Sequence, residues 1–369
     1  MKIAHKKVEL TELFYDLVFV FAISKVTGLI HHVEEARDFL GNFALFTVVM
    51  IVFLNTWMVQ TVFTNRYGRN SIKDMLFFMV DMAILLFMSN SFSGAISTWF
   101  RPFTLATGAL SFTLLLQYLS VYLTTKEASD KKIASRFILI LAIRTLGLVI
   151  GAFLPLQSGI VVALLGIIVS WLLPATFTKT MHTHPINFPH LLERLTLITI
   201  ITFGETIVDI APYFTQKTFA LTSFLIFAIV CLLFLNYTTQ FDHFIEEKRE
   251  DETGVLLIYL HYFILFGISL VTVSLSFIGE EHFDKRSAVL YLYIGLALFY
   301  LGILIATRYN KAHLKISNKI ILLFVVILAC GFFSSYFIAS FDVIVWSTFG
   351  VTLIIAFSYI HYLLLKNSR

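Results

Sequence analysis

Twelve apolar runs follow one another along the chain, separated by short polar or Pro- and Gly-marked segments. A helix needs about 20 apolar residues to cross the hydrocarbon core of a bilayer, so each run predicts one membrane-spanning helix. The sequence therefore predicts an all-α, polytopic transmembrane helical bundle of about 12 spans. The runs cover roughly residues 8–30, 42–64, 72–93, 102–124, 133–154, 159–177, 190–212, 218–240, 254–278, 287–307, 319–339 and 342–364. The weakest breaks are the short turns near Pro155 and near Ser340.

Composition excludes a soluble globular protein. The chain is 58% hydrophobic and 14% charged, with a mean hydropathy of +0.86, whereas about a quarter of the residues of a soluble domain are charged. The basic start "MKIAHKK" is typical of a signal peptide, but Glu9, Glu12 and Asp16 interrupt the apolar segment that should follow. The first run is therefore predicted to be an uncleaved span.

Lysine and arginine are distributed unevenly between the alternating loops. Nineteen lie on the side of the N-terminus and five on the other side, while Lys25, Arg144 and Arg194 lie within spans. Because short cytoplasmic loops carry the excess of positive residues, both termini are predicted to be cytoplasmic.

The chain also contains a predicted internal repeat with an offset near 181 residues. "ELFYDLVFVFAIS" from Glu12 aligns with "ERLTLITIITFGE" from Glu193, and "FLNTWMVQ" aligns with "FLNYTTQ" through Asn55 and Asn236. This predicts two six-span halves, residues 1–180 and 181–369. An even number of spans per half gives parallel repeats related by an axis along the membrane normal. An ancient duplication without present functional symmetry is the alternative.

Acidic residues within the first span are the leading candidates for function. Glu12 and Asp16 are spaced i, i+4 and share one helix face. Glu12 is close enough to the helix start to be explained by the macrodipole or by exposure at the interface. Asp16 lies roughly 12 Å beyond the start of the span, at a depth where a charge is costly.

The seventh span carries a comparable polar face. Arg194, Glu205 and Asp209 fall within about 60° of one another on the helix circumference. Since lipid cannot face such a stripe cheaply, it is expected to face protein or water. Arg194 is expected to pair with an acid, either Glu193 or Glu12.

Three further ionisable residues lie near the middle of spans. Asp81 and Arg144 are most simply explained by a buried ion pair, with structural and functional roles both open. His261 could titrate near neutral pH or be a hydrogen-bonded core residue. Gly147 and Gly151 predict close helix packing through a small-xxx-small face.

Other chemistry is not indicated. We find no phosphate loop, dinucleotide fingerprint or nucleophile elbow, so neither a cofactor nor an enzymatic activity is expected. No basic-aromatic surface points to nucleic acid. The histidines of "MHTHPINFPH", His190 included, lack accompanying Cys or acids at ligand spacing, so a solvated loop is favoured over a metal site.

Two stretches resemble a known family. "ELFYDLVFVFAIS" at 12–24 and "HLLERLTLITIITFGETIV" at 190–208 are similar to the E-L-F-[FY]-D-L-V-F-V start and the later H-x-x-E-R run with G-E-[ST] of the bacterial low temperature requirement A (LtrA) family. The resemblance implies a multi-span bacterial inner-membrane protein and gives no settled substrate. It carries over Glu12, Asp16, His190, Glu193, Arg194, Gly204 and Glu205 as site residues. "FYD" followed by "VFVFAI" is also similar to the start of the two-repeat lysosomal potassium channel family.

These observations favour a proton- or cation-coupled secondary transporter of a small solute, with Asp16 and Glu205 as coupling residues. An ion channel of two six-span repeats and a non-transport factor for envelope stress or low-temperature adaptation are the alternatives. The expected partners are membrane lipid, a small solute or ion, and a second copy of the chain in a homo-oligomer.

Overall fold

The computed structural model describes residues 6–28, 39–92, 95–177, 181–249, 252–280 and 283–367. These residues form twelve α-helices: α1 (Leu10–Thr27), α2 (Phe39–Tyr67), α3 (Ile72–Ser89), α4 (Ile96–Thr124), α5 (Ala128–Phe153), α6 (Leu156–Thr176), α7 (Phe188–Ile210), α8 (Leu221–Thr238), α9 (Val255–Phe277), α10 (Lys285–Ala306), α11 (Asn318–Ile338) and α12 (Phe341–Asn367). A π-helical segment, Thr239–Phe244, continues α8, and 3₁₀ turns follow α7 and α10.

Each of the twelve apolar runs corresponds to one helix, and both weak breaks are confirmed. Pro155 is the residue before α6, where its fixed φ and missing N–H do no harm. Ala339 ends α11 in the left-handed region, with φ of +49°, and the chain starts a new helix two residues later.

Ten of these helices are long and apolar enough to cross a membrane. The chain is thus a multi-pass membrane protein by the length and composition of its helices. The two that are not among the ten, α1 and α3, are each 18 residues long and carry three charged residues: Glu12, Asp16 and Lys25 in α1, and Lys73, Asp74 and Asp81 in α3.

The helices group into two compact units. Unit 1 contains α1, most of α2, α3 to α6, the first half of α7 and the first two residues of α9. Unit 2 contains the start of α2, the rest of α7, α8, the rest of α9 and α10 to α12. The division within α7 falls between Leu197 and Ile198. The two predicted six-span repeats stay a prediction.

Glycines bring α5 and α6 of unit 1 into close contact. A Cβ on Gly151 would lie 2.7 Å from the backbone oxygen of Gly159, and one on Gly147 would lie 3.2 Å from Cα of Gly166. The predicted small-residue packing face is confirmed, with α6 supplying small residues in return.

We expect Gly151→Ala to lower the thermal stability of the purified protein. Overpacking against rigid backbone costs about 1–3 kcal/mol, which exceeds the roughly 1 kcal/mol that alanine gains over glycine in a helix. Gly350→Ala in α12 is the control, because nothing lies within 4 Å of a Cβ there. Melting curves in detergent that shift equally for both variants would contradict this packing.

In unit 2, α9 and α10 cross with similar closeness. A Cβ on Gly267 would meet the backbone oxygen of Gly295 at 2.7 Å. The π-helical segment turns Gln240 inward, where it donates to Asn310 at 2.7 Å and accepts from Tyr359. The amide of Gln240 is therefore satisfied by polar groups of other elements in this unit.

Candidate functional site

Charged side chains of α1 and α7 meet inside unit 1. Glu12 lies opposite His190, with Oε2 3.2 Å from Nε2, and Asp16 lies opposite Arg194, whose Nη2 donates to Oδ1. Both contacts join residues 178 positions apart in the sequence. On each helix, the two contacting residues are spaced i, i+4. Because the order of pairing is the same on both helices, α1 and the start of α7 run parallel. We call these four residues and Trp57 the α1–α7 cluster.

Asp16 is held on one of its two oxygens. Oδ1 accepts a hydrogen bond from Trp57 Nε1 at 2.7 Å as well as the bond from Arg194. The guanidinium of Arg194 also stacks over the Trp57 ring at 5.1 Å. Oδ2 is buried and has no hydrogen-bond partner among the described residues. Asp16 therefore has an oxygen that can take a proton without breaking an existing bond.

Glu12 has two structural connections. Its Oε2 accepts from the backbone N–H of Glu9 at 2.9 Å, so it helps to cap α1, and it also accepts from His190. Its Oε1 lies 3.8 Å from Arg194 Nη1, an ion-pair distance without a hydrogen bond. The bond to the Glu9 N–H agrees with the expected role of Glu12 at the start of the helix. The alternative of exposure at the interface does not hold, because the side chain is only 1% exposed.

The hydrogen-bond pattern around His190 assigns its protonation. The backbone N–H of Asn187 donates to Asn65 Oδ1 at 2.9 Å, which turns the Asn65 amide nitrogen toward Asn187 O and His190 Nδ1, at 2.9 and 3.0 Å. Since an amide nitrogen only donates, Nδ1 is an acceptor and the proton is on Nε2, facing Glu12. The imidazole is therefore neutral in this arrangement.

The α1–α7 cluster contains more negative than positive charge. It has two carboxylates, Glu12 and Asp16, against the single guanidinium of Arg194 and a neutral imidazole, and all four side chains are buried. A buried charge without a full partner is costly, so an acid that shares its arginine favours an additional positive charge.

Lys6 lies at the mouth of this region. Its Nζ donates to the backbone oxygens of Thr64 and, at 2.8 Å, Gly68, at the end of α2. Burial lowers the pKa of Lys6, and the negative charge of Glu12 opposes that shift. A cavity of about 230 Å³ is lined by both side chains, whereas Asp16 does not line it.

The predicted ion pair between Asp81 and Arg144 is wrong. Within the described residues, Asp81 accepts from Thr113 at 2.6 Å, while Arg144 donates to Asn55 at 2.6 Å and Thr56 at 2.8 Å. Each of the two charges is thus bonded to neutral polar side chains of another helix. Asp81 and Arg144 do line one internal cavity of about 10 Å³, which is about the space that one water needs.

The remaining predicted site residues are not brought into the cluster. Glu193 is exposed, so of the two acids proposed for Arg194 the structure has Glu12. Glu205 and Asp209 are half-buried in unit 2. His261, also in unit 2, is fully buried. Its Nδ1 lies 2.7 Å from the Leu257 oxygen, and its Nε2 lies 3.1 Å from the Tyr237 hydroxyl. Both its nitrogens are satisfied, which favours the core role.

Sequence reasoning did not identify Trp57, Asn65 and Lys6 as parts of the site. Trp57 could have been found from the sequence, because a buried indole N–H needs a hydrogen-bond acceptor and Asp16, in the preceding span, is one. Asn65 and Lys6 sit at a helix end and before a helix, where polar residues are ordinary, so the sequence carried no comparable signal.

Comparison with known proteins bears on the whole chain. A sequence model of the family described as bacterial low temperature requirement A protein (LtrA) matches residues 7–359, which include every residue of the α1–α7 cluster. No curated protein matches the chain. A match over nearly the full length, together with ten helices able to cross a membrane, establishes the family. The chain is a multi-pass membrane protein that belongs to the bacterial low temperature requirement A (LtrA) family.

Proposed function

We propose that this chain is a proton-coupled secondary transporter of a small solute in the bacterial inner membrane, with both termini cytoplasmic. The observation that carries the proposal is the charge of the α1–α7 cluster, where two buried carboxylates share one arginine. Asp16 is the proton carrier in this account, and α1 and α3 cross the membrane with the other ten helices.

A proton suits the cluster better than a metal cation. Hard cations need several oxygen ligands, whereas Asp16 is approached by N–H donors from Trp57 and Arg194. A proton on Oδ2 leaves both hydrogen bonds to Oδ1 in place. The resulting neutral acid leaves Arg194 and Glu12 as a balanced pair of charges.

Protonation of Asp16 gives the helix contact two charge arrangements. When Asp16 is ionised, it competes with Glu12 for Arg194; when it is neutral, Nη1 and Oε1, now 3.8 Å apart, can close to a direct bond. A two-state electrostatic contact between helices is the kind of element that couples an ion to a conformational change. The cavity that Glu12 lines supports a proton route to the α1–α7 cluster.

The parallel contact also supports the repeat hypothesis. The first helix of each predicted six-span half contributes the same two positions, the third and the seventh residue of α1 and of α7. Parallel repeats place the starts of corresponding helices on one membrane face. We therefore retain two six-helix repeats, 1–180 and 181–369, as part of the proposal.

Proteoliposomes test the function. With an imposed pH gradient, the purified full-length protein is expected to move protons when its solute is present on one side, and the rate should saturate with solute concentration. Screening amino acids, sugars and organic ions by the change in internal pH would identify the solute class. Glu12→Gln should slow this movement, and Glu193→Gln, next to Arg194 but exposed, should not.

Two results would contradict the proposal. Proton movement equal to that of empty vesicles for every solute class would remove the transport function. Unitary, non-saturating ion currents in planar bilayers would instead favour the channel alternative.

A further inference from the structure

One buried carboxyl group of unit 1 has no part in the proposed mechanism. Asp81, on α3, is only 2% exposed, and the hydroxyl of Thr113 on α4 lies 2.6 Å from its Oδ1. Arg144 does not hold it as an ion pair, because Nη1 and Nη2 of that guanidinium donate to Asn55 and Thr56. Within the described part of the chain, Thr113 is the one hydrogen-bond partner of the Asp81 side chain.

The Thr113 hydroxyl has two oxygens within hydrogen-bond distance but only one hydrogen. Its Oγ1 lies 2.6 Å from Asp81 Oδ1 and 2.8 Å from the backbone oxygen of Leu110. When Asp81 is ionised, a single hydrogen has to serve both oxygens. When Asp81 is protonated, its own O–H donates to Thr113 and the Thr113 hydrogen goes to Leu110, so both contacts are satisfied. The geometry therefore favours a proton on this carboxyl group, which also removes a buried charge.

A small cavity adjoins the same carboxyl group. Asp81 and Arg144 line it together with Tyr15 and Ser111, and its volume is about 10 Å³, which is about the space of one water. Every residue that lines the cavity is buried. A buried water needs two to four polar partners, and the carboxyl group, the guanidinium and the two hydroxyls are available to it. The cavity thus has both the size and the lining of a site for a single water.

We propose that Asp81 is a second proton-binding site, separate from Asp16, and that one water held in this cavity joins it to Arg144. The protonated acid donates to Thr113, whereas the ionised acid accepts from the water, which in turn accepts from Arg144. Each state of the carboxyl group thus has a hydrogen-bond partner. Release breaks the carboxyl O–H bond, leaves both electrons on the carboxylate and passes the proton to the water, from which it leaves for the aqueous phase.

The second site adjoins the α1–α7 cluster. Tyr15 precedes Asp16 on α1, and Thr56 precedes Trp57 on α2. Tyr15 lies within electrostatic range of both Asp16 and Asp81. The two carboxyl groups are therefore close enough for the charge on one to act on the surroundings of the other.

Infrared spectra of the purified full-length protein in an ester-free detergent test the proposal, because a protonated carboxyl group has a carbonyl band of its own. We expect the wild type to show an acid band at neutral pH that persists in Asp16→Asn and is absent from Asp81→Asn. Asp74→Asn is the matched control on the same helix. The Asp74 carboxylate accepts from the backbone N–H groups of Arg69 and Ser71, so its replacement should leave the acid band unchanged.

Thr113→Val carries the test should Asp81→Asn not fold. It removes the hydroxyl that Asp81 contacts, so the acid band should change in frequency, whereas Thr113→Ser keeps a hydroxyl and should leave the band in place.

Transfer into D2O tests the cavity water. Deuterium replaces the acid hydrogen and shifts the band at a rate set by access of water to the carboxyl group. Ser111→Thr adds one methyl group to the cavity lining and keeps a hydroxyl for the bond to the Thr107 oxygen. We expect this variant to exchange several-fold more slowly than the wild type.

The proposal is overturned if Asp81→Asn keeps every acid band of the wild type over the pH range in which both are folded, or if Asp74→Asn removes the band instead. An unchanged band frequency in Thr113→Val, or an unchanged exchange rate in Ser111→Thr, also contradicts it. None of these outcomes depends on transport, so the Asp81 site and the proposed function can fail separately.

Discussion

Replacing Arg194 with glutamine is expected to abolish the accumulation of folded protein. The substitution leaves Glu12 and Asp16 buried at 1% and 0% exposure without their shared cation. Breaking a buried pair by removing one partner costs about 3–5 kcal/mol, a large part of the roughly 5–15 kcal/mol that holds a folded domain together. Fluorescence-detected size-exclusion chromatography of the solubilised protein measures the loss directly.

A second substitution should rescue this variant. Arg194→Gln combined with Asp16→Asn leaves one acid, Glu12, next to His190, and is expected to restore much of the monodisperse peak. Arg249→Gln serves as the control, because Arg249 pairs with Glu252 at 3.0 Å in a partly exposed position, where such pairs contribute about 1 kcal/mol or less. A normal peak for Arg194→Gln alone would show that the acids do not depend on this arginine.

Asp16→Asn is expected to reduce coupled proton movement to that of empty vesicles while the protein remains folded. The asparagine oxygen can still accept from Trp57 and Arg194, and Arg194 retains Glu12, so the charges of the cluster balance. What is lost is the carboxyl group whose second oxygen, Oδ2, has no hydrogen-bond partner among the described residues and takes the proton in the proposed mechanism. The measurement is solute-dependent acidification in proteoliposomes, with melting temperature recorded on the same preparation.

The matched control for that variant is Glu193→Gln, which removes an exposed acid from the same turn as Arg194. Equal transport by Asp16→Asn and wild type would rule out Asp16 as the carrier.

The helices could be predicted closely from the sequence, because apolar runs of the length of a bilayer leave few other structures possible. The breaks at Pro155 and Ser340 followed from local chemistry alone. The depth of Asp16 also identified a residue of the cluster, since a carboxylate inside a span needs a protein partner.

The partners themselves could not be predicted in the same way. The i, i+4 spacing of His190 and Arg194 is visible in the sequence, but periodicity alone groups Arg194 with Glu205 and Asp209 on one polar face of the helix. Helix periodicity does not say which part of that face contacts another helix. Asp81 and Arg144 show the limit of charge matching. Opposite charges in two spans favour the prediction of an ion pair, yet Asp81 is bonded to Thr113, and Arg144 to Asn55 and Thr56.

Infrared spectroscopy of the carboxyl groups tests the central claim most directly. The carbonyl stretch of a protonated carboxylic acid is distinct from that of a carboxylate, so a pH titration of the protein in lipid, recorded for wild type and for Asp16→Asn, isolates the state of this one side chain. The account predicts a titrating acid band in wild type that is missing from Asp16→Asn and unchanged in Glu193→Gln. Identical spectra for wild type and Asp16→Asn over the whole pH range in which both are folded would contradict it.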